Sequence, residues 1–152
     1  MGNLRCVGAL IRNEQGRMFV QRRSTTRRVL PGVWDIVGGH VESGESLQQA
    51  LTREVKEETG WTLRSIGVQV ADWEWEYDGV VRREIDYLVE VDGNLAAPCL
   101  EAAKHDRYAW VGLDNLALMM EGRHDGDSRL RDVVAKALQI RGAISASNLS
   151  AG

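Results

Sequence analysis

The sequence has little proline, little cysteine, no long apolar run and no excess of positive charge. Two prolines in 152 residues leave most of the chain free to form regular elements, because proline removes a backbone donor and breaks helix interiors. The two cysteines, Cys6 and Cys99, show no metal-ligand spacing and suit a reduced, cytoplasmic setting, so both are expected to be structural. No apolar run is long enough to span a membrane, and the N-terminus lacks the basic and apolar regions of a signal peptide. A net charge of −3 provides no overall basic field, which disfavours extended nucleic-acid binding. What is present, 43% hydrophobic and 27% charged residues, fits one globular domain able to bury a real core. That domain is expected over residues 1–142, with 143–152 as a disordered tail.

The chain is organised around Gly39 to Trp61, GHVESGESLQQALTREVKEETGW, which reads as a glycine-rich loop running into one helix. Ser46 is the expected N-cap, with Gln49 completing a capping-box pattern, and Gly60 the expected stop. Good helix formers and no proline lie between them. At about 100° per residue, Leu47, Ala50 and Leu51 share one stripe, and Glu54, Glu57 and Glu58 continue it. The opposite side, Gln48, Gln49, Thr52, Lys56 and Thr59, is expected to face solvent. An acidic cluster on a helix is most often a solvated face. Here the carboxylates crowd the arc that the preceding turns use for burial. Like charges partly withdrawn from water raise each other's pKa or require a cation, and a hard divalent ion such as Mg2+ or Mn2+ suits oxygen ligands. Geometry alone leaves both readings open.

The wording of the stretch resembles the Nudix hydrolase family, whose box is G-x5-E-x7-R-E-U-x-E-E-x-G-U, with U a bulky apolar residue. Gly39, Glu45, Arg53, Glu54, Val55, Glu57, Glu58, Gly60 and Trp61 fill its fixed positions in register. The resemblance implies an α/β fold, the Nudix-type α/β/α sandwich with a mixed β-sheet. It also implies metal-dependent hydrolysis of a diphosphate linked to a nucleoside or similar group. Glu54, Glu57 and Glu58 would hold Mg2+, with Mn2+ as an alternative, and one of them could instead deprotonate the attacking water. The Gly38 carbonyl would join the metal's oxygen shell. Glu45 would organise the loop or a water beyond the metal's own ligands. Arg53 would pair with a box glutamate and fix its rotamer, a plain i,i+4 ion pair with Glu57 being the alternative. Val37 stands where many relatives carry proline.

The flanks extend this reading. Leu4 to Ile11 reads as a strand, Asn13 to Gly16 as a turn and Arg17 to Gln21 as a second strand. Ser24 to Arg28 is a basic loop, solvated on the plain reading. On the functional reading, Arg22 or Arg23 just before it reaches a substrate phosphate, since arginine suits bidentate phosphate contact. Val33 to Val37 (VWDIV) reads as one short strand leading into Gly38-Gly39. Ile66 to Tyr77 and Val80 to Val91 flank Asp78-Gly79, the strongest hairpin signal. Trp73, Trp75 and Tyr77 alternate onto one face, as core or as one wall of a substrate pocket on which a base could stack. Gly93 to Ala103 reads as a loop and Tyr108 to Val111 as a strand. The residues just before that strand would, by resemblance, bring an acid or general base towards the metal. Glu101, Asp106 and His105 are the candidates, and Lys104 stands where many relatives have glutamate. Leu113 begins a short helix. Leu130, Val133, Val134, Ala137 and Leu138 mark a final amphipathic helix that Gly142 is expected to end.

The implied partner is a small-molecule nucleotide or nucleoside diphosphate derivative bound by a monomer or homodimer. Nucleoside triphosphates, damaged ones included, are favoured, with ADP-ribose and dinucleoside polyphosphates as alternatives. In some family members a tyrosine at about Tyr77's distance beyond the box marks dinucleoside polyphosphate substrates. A non-catalytic nucleotide- or RNA-sensing module is the reading of a different class, and the intact box disfavours it.

Overall fold

Buried apolar residues at Leu4–Ile11 (β1), Met18–Arg23 (β2) and the hairpin arms Thr62–Tyr77 (β5) and Val80–Asp92 (β6) set the frame of the chain. The computed structural model describes residues 4–141; Gly142 and the tail expected to be disordered lie outside them. A four-stranded sheet runs in the order β4-β1-β6-β5, and a three-stranded sheet in the order β3-β2-β7. Here β3 is Trp34–Asp35, β4 is Val37–His40 and β7 is His105–Val111. β1 pairs parallel with β6 and antiparallel with β4, so the larger sheet is mixed. The β5–β6 turn places Asp78 at φ 56° and Gly79 at φ 76°, the left-handed pair that a two-residue hairpin requires.

Helix α1, Leu47–Thr59, has the capping that its sequence encodes. Ser46 Oγ accepts from the Gln49 N–H at 3.1 Å, and Gln49 Oε1 accepts from the Ser46 N–H at 2.9 Å. Gly60 closes the helix at φ 80°, donating to the Lys56 carbonyl. A 3-10 helix at Leu113–Met120 leads to α2, Arg129–Gln139, whose Leu130, Val133, Val134 and Ala137 are buried as their spacing predicts; it ends before the expected Gly142, because Ile140 is already extended at φ −75° and ψ 124°. Alternate residues of β1 enter two cores. Val7, Ala9 and Ile11 pack with Phe19, Ala50, Leu51 and Val55 beneath α1. Leu10 packs with Val20, Trp34, Leu88 and the buried face of α2. The sheets therefore lie between the helices, as an α/β/α sandwich.

Three local expectations need correction. VWDIV is not one strand: Trp34 and Asp35 pair with β2, whereas Val37 onward pairs with β1 in the other sheet. Every one of these residues but Asp35 is buried, so the apolar run continues across a change of sheet. Thr59, expected on the solvent face, is buried. Its carbonyl accepts from the Cys99 N–H at 2.8 Å and its hydroxyl donates to the Val55 carbonyl at 2.6 Å, because the loop carrying Cys99 covers the end of α1. His105 and Asp106, expected ahead of a strand, lie in β7: His105 pairs with Arg23 and Arg107 with Arg22, and Asp106 falls at the register shift between those pairs.

Candidate active site

Two glycines bring the helix carboxylates against the backbone of β4. A Cβ at Gly38 would lie 2.1 Å from the Val7 carbonyl oxygen, and Gly38 has φ 156°. A Cβ at Gly39 would lie 2.7 Å from Glu54 Oε2. Only glycine lets the backbone pass this close. The buried rows of α1 are Ala50, Glu54, Glu58 and Leu51, Val55, Thr59. Glu57 flanks them, with its side chain 44% exposed. The inward acidic stripe thus consists of two carboxylates, with the third at the rim, since i+3 from Glu54 falls at the edge of the buried arc.

Glu58 is the most constrained of the three. Its Oε1 accepts from Gln21 Nε2 at 2.8 Å and from the Gly38 N–H at 3.0 Å. Burial, then the neighbouring charge of Glu54, pushes its carboxyl well above the ordinary range. Burial likewise raises Glu54, against the pull of its hydrogen bonds to Glu58 and Arg53. Arg53 is the hub of this end of the helix. Its Nε and Nη2 grip Glu45 at 2.8 and 2.9 Å. Its Nη1 reaches Glu54, and Glu57 at 3.2 Å, while Nη2 also donates to the His40 carbonyl. The arginine holds Glu45 down at about 2.

A cleft of about 520 Å³ opens onto Gly38, Gly39, Glu54, Glu57 and Glu58, and it is also lined by Arg23, Arg27, Arg28 and Lys104. Arg23 lies in this cleft, anchored to the Val29 carbonyl and to Asp35. Arg22 does not line it and instead forks onto Asp106 with two bonds of 2.8 Å. Asp106 is thereby occupied away from the carboxylates. Glu101 pairs with Lys104 at 3.6 Å, and it is Lys104 that lines the cleft. His105 is buried, and burial pushes its imidazole down to about 4. Trp73, Trp75 and Tyr77 line a second cavity of about 610 Å³, with Pro31, Val33 and residues ahead of α2. Asp35, Trp75 and Glu84 border both cavities.

Several contributors are absent from the sequence reading. Arg27 and Arg28 lie in a loop that composition alone makes solvated. Gln21 sits in an apolar strand with nothing to mark it except its polarity. Arg82, Glu84 and Asp86 alternate along β6 and are all buried, and a period of two ending at Leu88 was the available signal.

The donor set suits a hard divalent ion. Glu54 and Glu58 lie side by side, withdrawn from water and raised above the ordinary range although Arg53 bonds Glu54, so one guanidinium does not supply the charge that would let both ionise and a divalent ion would. Among the described residues no three acidic, histidine or cysteine side chains converge as a ready cage, because Arg53 draws Glu54 and Glu57 towards itself.

A capped acid helix laid against a mixed sheet, with its carboxylates facing a basic cleft, defines the class of site to which the comparisons also lead. The family model for the NUDIX domain matches residues 2–135. Nucleoside triphosphatase NudI of Klebsiella pneumoniae is 33% identical over 120 residues, covering 70% of this chain and 80% of that protein. An uncharacterized Nudix hydrolase of a Nostoc species is 39% identical over 69 residues, 45% of this chain, and the match spans only 41% of that relative's length. Among solved structures, the MutT protein from Methanosarcina mazei superposes with a TM-score of 0.65 at 32% identity, covering 87% of this chain and 90% of that one. The chain belongs to the Nudix family.

Proposed function

We propose that this protein hydrolyses a diphosphate linkage of a nucleoside triphosphate, damaged ones included, with Mg2+ as the ion and Mn2+ as its substitute. The observation that carries this reading is the buried Glu54–Glu58 pair held against Gly38-Gly39 at the edge of an arginine- and lysine-lined cleft. Glu54 and Glu58, with Glu57 from the rim and the Gly38 carbonyl, would hold the metal. Bound there, the ion supplies neutralisation of phosphate oxygens and a lower pKa for the attacking water. Arg23, Arg27, Arg28 and Lys104 bind the polyphosphate by charge-assisted hydrogen bonds. Gln21 fixes Glu58, and Glu45 fixes Arg53, so the carboxylates face the reacting phosphorus in one orientation. A box glutamate takes the proton of the water as its oxygen bonds to phosphorus and the bridging P–O bond breaks. The products are a nucleoside monophosphate and pyrophosphate.

Trp73, Trp75 and Tyr77 form the wall against which the base lies. The name of the Klebsiella relative, a nucleoside triphosphatase, supports this substrate class. Among the described residues no helix is long and apolar enough to cross a membrane, and a small soluble substrate met in the cytoplasm fits the reading. The test is a panel of nucleoside triphosphates, ADP-ribose and dinucleoside polyphosphates incubated with Mg2+, with Mn2+ and with EDTA, with products identified by anion-exchange chromatography. Monophosphate and pyrophosphate from a triphosphate, absent in EDTA, are expected. Cleavage of ADP-ribose or a dinucleoside polyphosphate alone would replace the substrate. Tight nucleotide binding with no product would make the protein a sensor and overturn the enzymatic reading.

A further inference from the structure

Three successive inward positions of β6 are charged and buried: Arg82, Glu84 and Asp86, 4%, 9% and 0% exposed. Across the ladder Trp73 stands opposite Glu84, and Trp75 opposite Arg82. Each indole bonds diagonally rather than straight across, a reach open to long side chains on one face of a sheet. Trp75 Nε1 donates to Glu84 Oε1 at 3.0 Å, and Trp73 Nε1 donates to Asp86 Oδ2 at 2.8 Å. The Arg82 guanidinium lies over the Trp75 ring, 4.8 Å from its centroid. The two indoles are neighbours, with centroids 6.4 Å apart.

Such a seam is not what stability selects. Replacing a buried polar network by apolar residues of similar volume is often neutral or stabilising, and Leu88 at the next inward position shows that this face accepts one. Asp86 Oδ1 is buried without a donor among the described residues. It lies 2.0 Å from where a Cβ on Gly8 would stand, so that side has no room for a further group. Glu84, the preceding inward residue of β6 and within hydrogen-bonding reach of Asp86, is a neighbour able, as a protonated acid, to donate to the Asp86 carboxylate. The seam also sits where it matters, because Glu84 and Trp75 border both the carboxylate cleft and the aromatic cavity.

We propose that Glu84 and Asp86 are positioning residues which, joined by one proton, clamp the Trp75 and Trp73 indoles and so set the wall that receives the aromatic base of a nucleoside polyphosphate. The proposal rests on the function proposed above. Burial, then the adjacent Asp86, raises Glu84 well above the ordinary range, and burial raises Asp86 as well, which agrees with one proton held by the pair. The charged and titratable groups around the pair and its indoles include Cys6 from β1, Asp35 from β3, Arg82 from β6 and Arg129 from α2, which lies 5.6 Å from the Trp73 ring centroid.

An amide reproduces the protonated acid, since its oxygen can accept from Trp75 and its NH2 can donate to Asp86. Glu84→Gln is therefore expected to keep wild-type kcat and KM on the preferred nucleoside triphosphate. Glu84→Ala removes both bonds and is expected to raise KM at least roughly ten-fold, since one lost positioning bond alone has about that effect, with kcat within about three-fold. Trp75→Phe keeps an aromatic ring but loses the N–H, so it should also raise KM with kcat preserved; it serves if Glu84→Ala fails to fold. Melting with and without Mg2+ reports whether the metal site is intact, and the Mg2+ increment should match wild type in all three. An unchanged KM in Glu84→Ala, or in Trp75→Phe where that serves instead, overturns the clamp while leaving the hydrolase reading standing. So does a loss in Glu84→Gln equal to that in Glu84→Ala. A wild type that neither binds nor cleaves any nucleotide overturns both readings together.

Discussion

Glu58 joins three constraints that no other carboxylate of the box combines: deep burial, a side-chain donor from Gln21 and a backbone donor from Gly38. Glu58→Gln keeps the shape and removes the negative charge. Its fold should survive, and its turnover should drop at least ~100-fold, about 2.7 kcal/mol of barrier. Near-wild-type turnover of this variant in the nucleotide assay would remove Glu58 from the mechanism. His105 makes a different kind of prediction. Its folded pKa, about 4, lies below the ordinary 6.5, so the unfolded chain binds the extra proton between those values. The stability that His105 contributes is full above pH 6.5, falls as pH drops, and is lost near pH 4. The shift corresponds to about 3 kcal/mol at most. Denaturant melts at pH 7 and pH 4.5 should show a smaller drop in His105→Gln than in wild type, and equal drops would place the acid sensitivity elsewhere. Cys6, also buried, is pushed up to about 12, so its thiol stays protonated and inert at neutral pH.

Among the elements, α1 decides how metal and stability are linked. A ligand that binds only the native state stabilises it by RT ln(1 + [L]/Kd), about 2.7 kcal/mol at 100 times Kd. Mg2+ should therefore raise the melting temperature. Glu54→Gln should raise the metal-free melting temperature by relieving the buried pair, and it should shrink the Mg2+ increment. Glu57→Gln should leave the metal-free value nearly unchanged, because its carboxylate is exposed. Melts in EDTA and in millimolar Mg2+ separate these outcomes, and equal behaviour of the two variants would contradict the division between buried and rim carboxylates. The boundaries of α1 were legible in sequence because Ser46, Gln49 and Gly60 act locally, through bonds within one turn. The Asp78-Gly79 hairpin was legible for the same reason. What the sequence hid depends on partners far along the chain. Thr59 is buried by the Cys99 loop, Arg22 is taken up by Asp106 on β7, and the VWDIV run gives no local sign of where it changes sheets. The charged alternation on β6 was visible as a pattern, but its two indole partners become apparent only once β5 is laid beside it.

At the scale of the whole molecule, the two sheets share a single residue of separation. Ile36 alone stands between β3, bonded to β2, and β4, bonded to β1. Its N–H is held by Asp35 Oδ1 at 2.7 Å, so the link carries no slack. Loops of several residues let neighbouring units of a protein open one at a time, as separate cooperative units with their own exchange rates. A one-residue link denies the sheets that independence. The amides of Gln21 and Arg22 should therefore exchange with solvent at the same opening free energy as those of Val37 to His40, which native-state hydrogen exchange across a denaturant series would measure. Distinct isotherms for the two groups would mean that the sheets open separately. Coincident ones would mean that the strand bearing Arg23 and the backbone facing Glu54 and Glu58 move as one mechanical piece, so that a mutation loosening either is felt undiminished at the other.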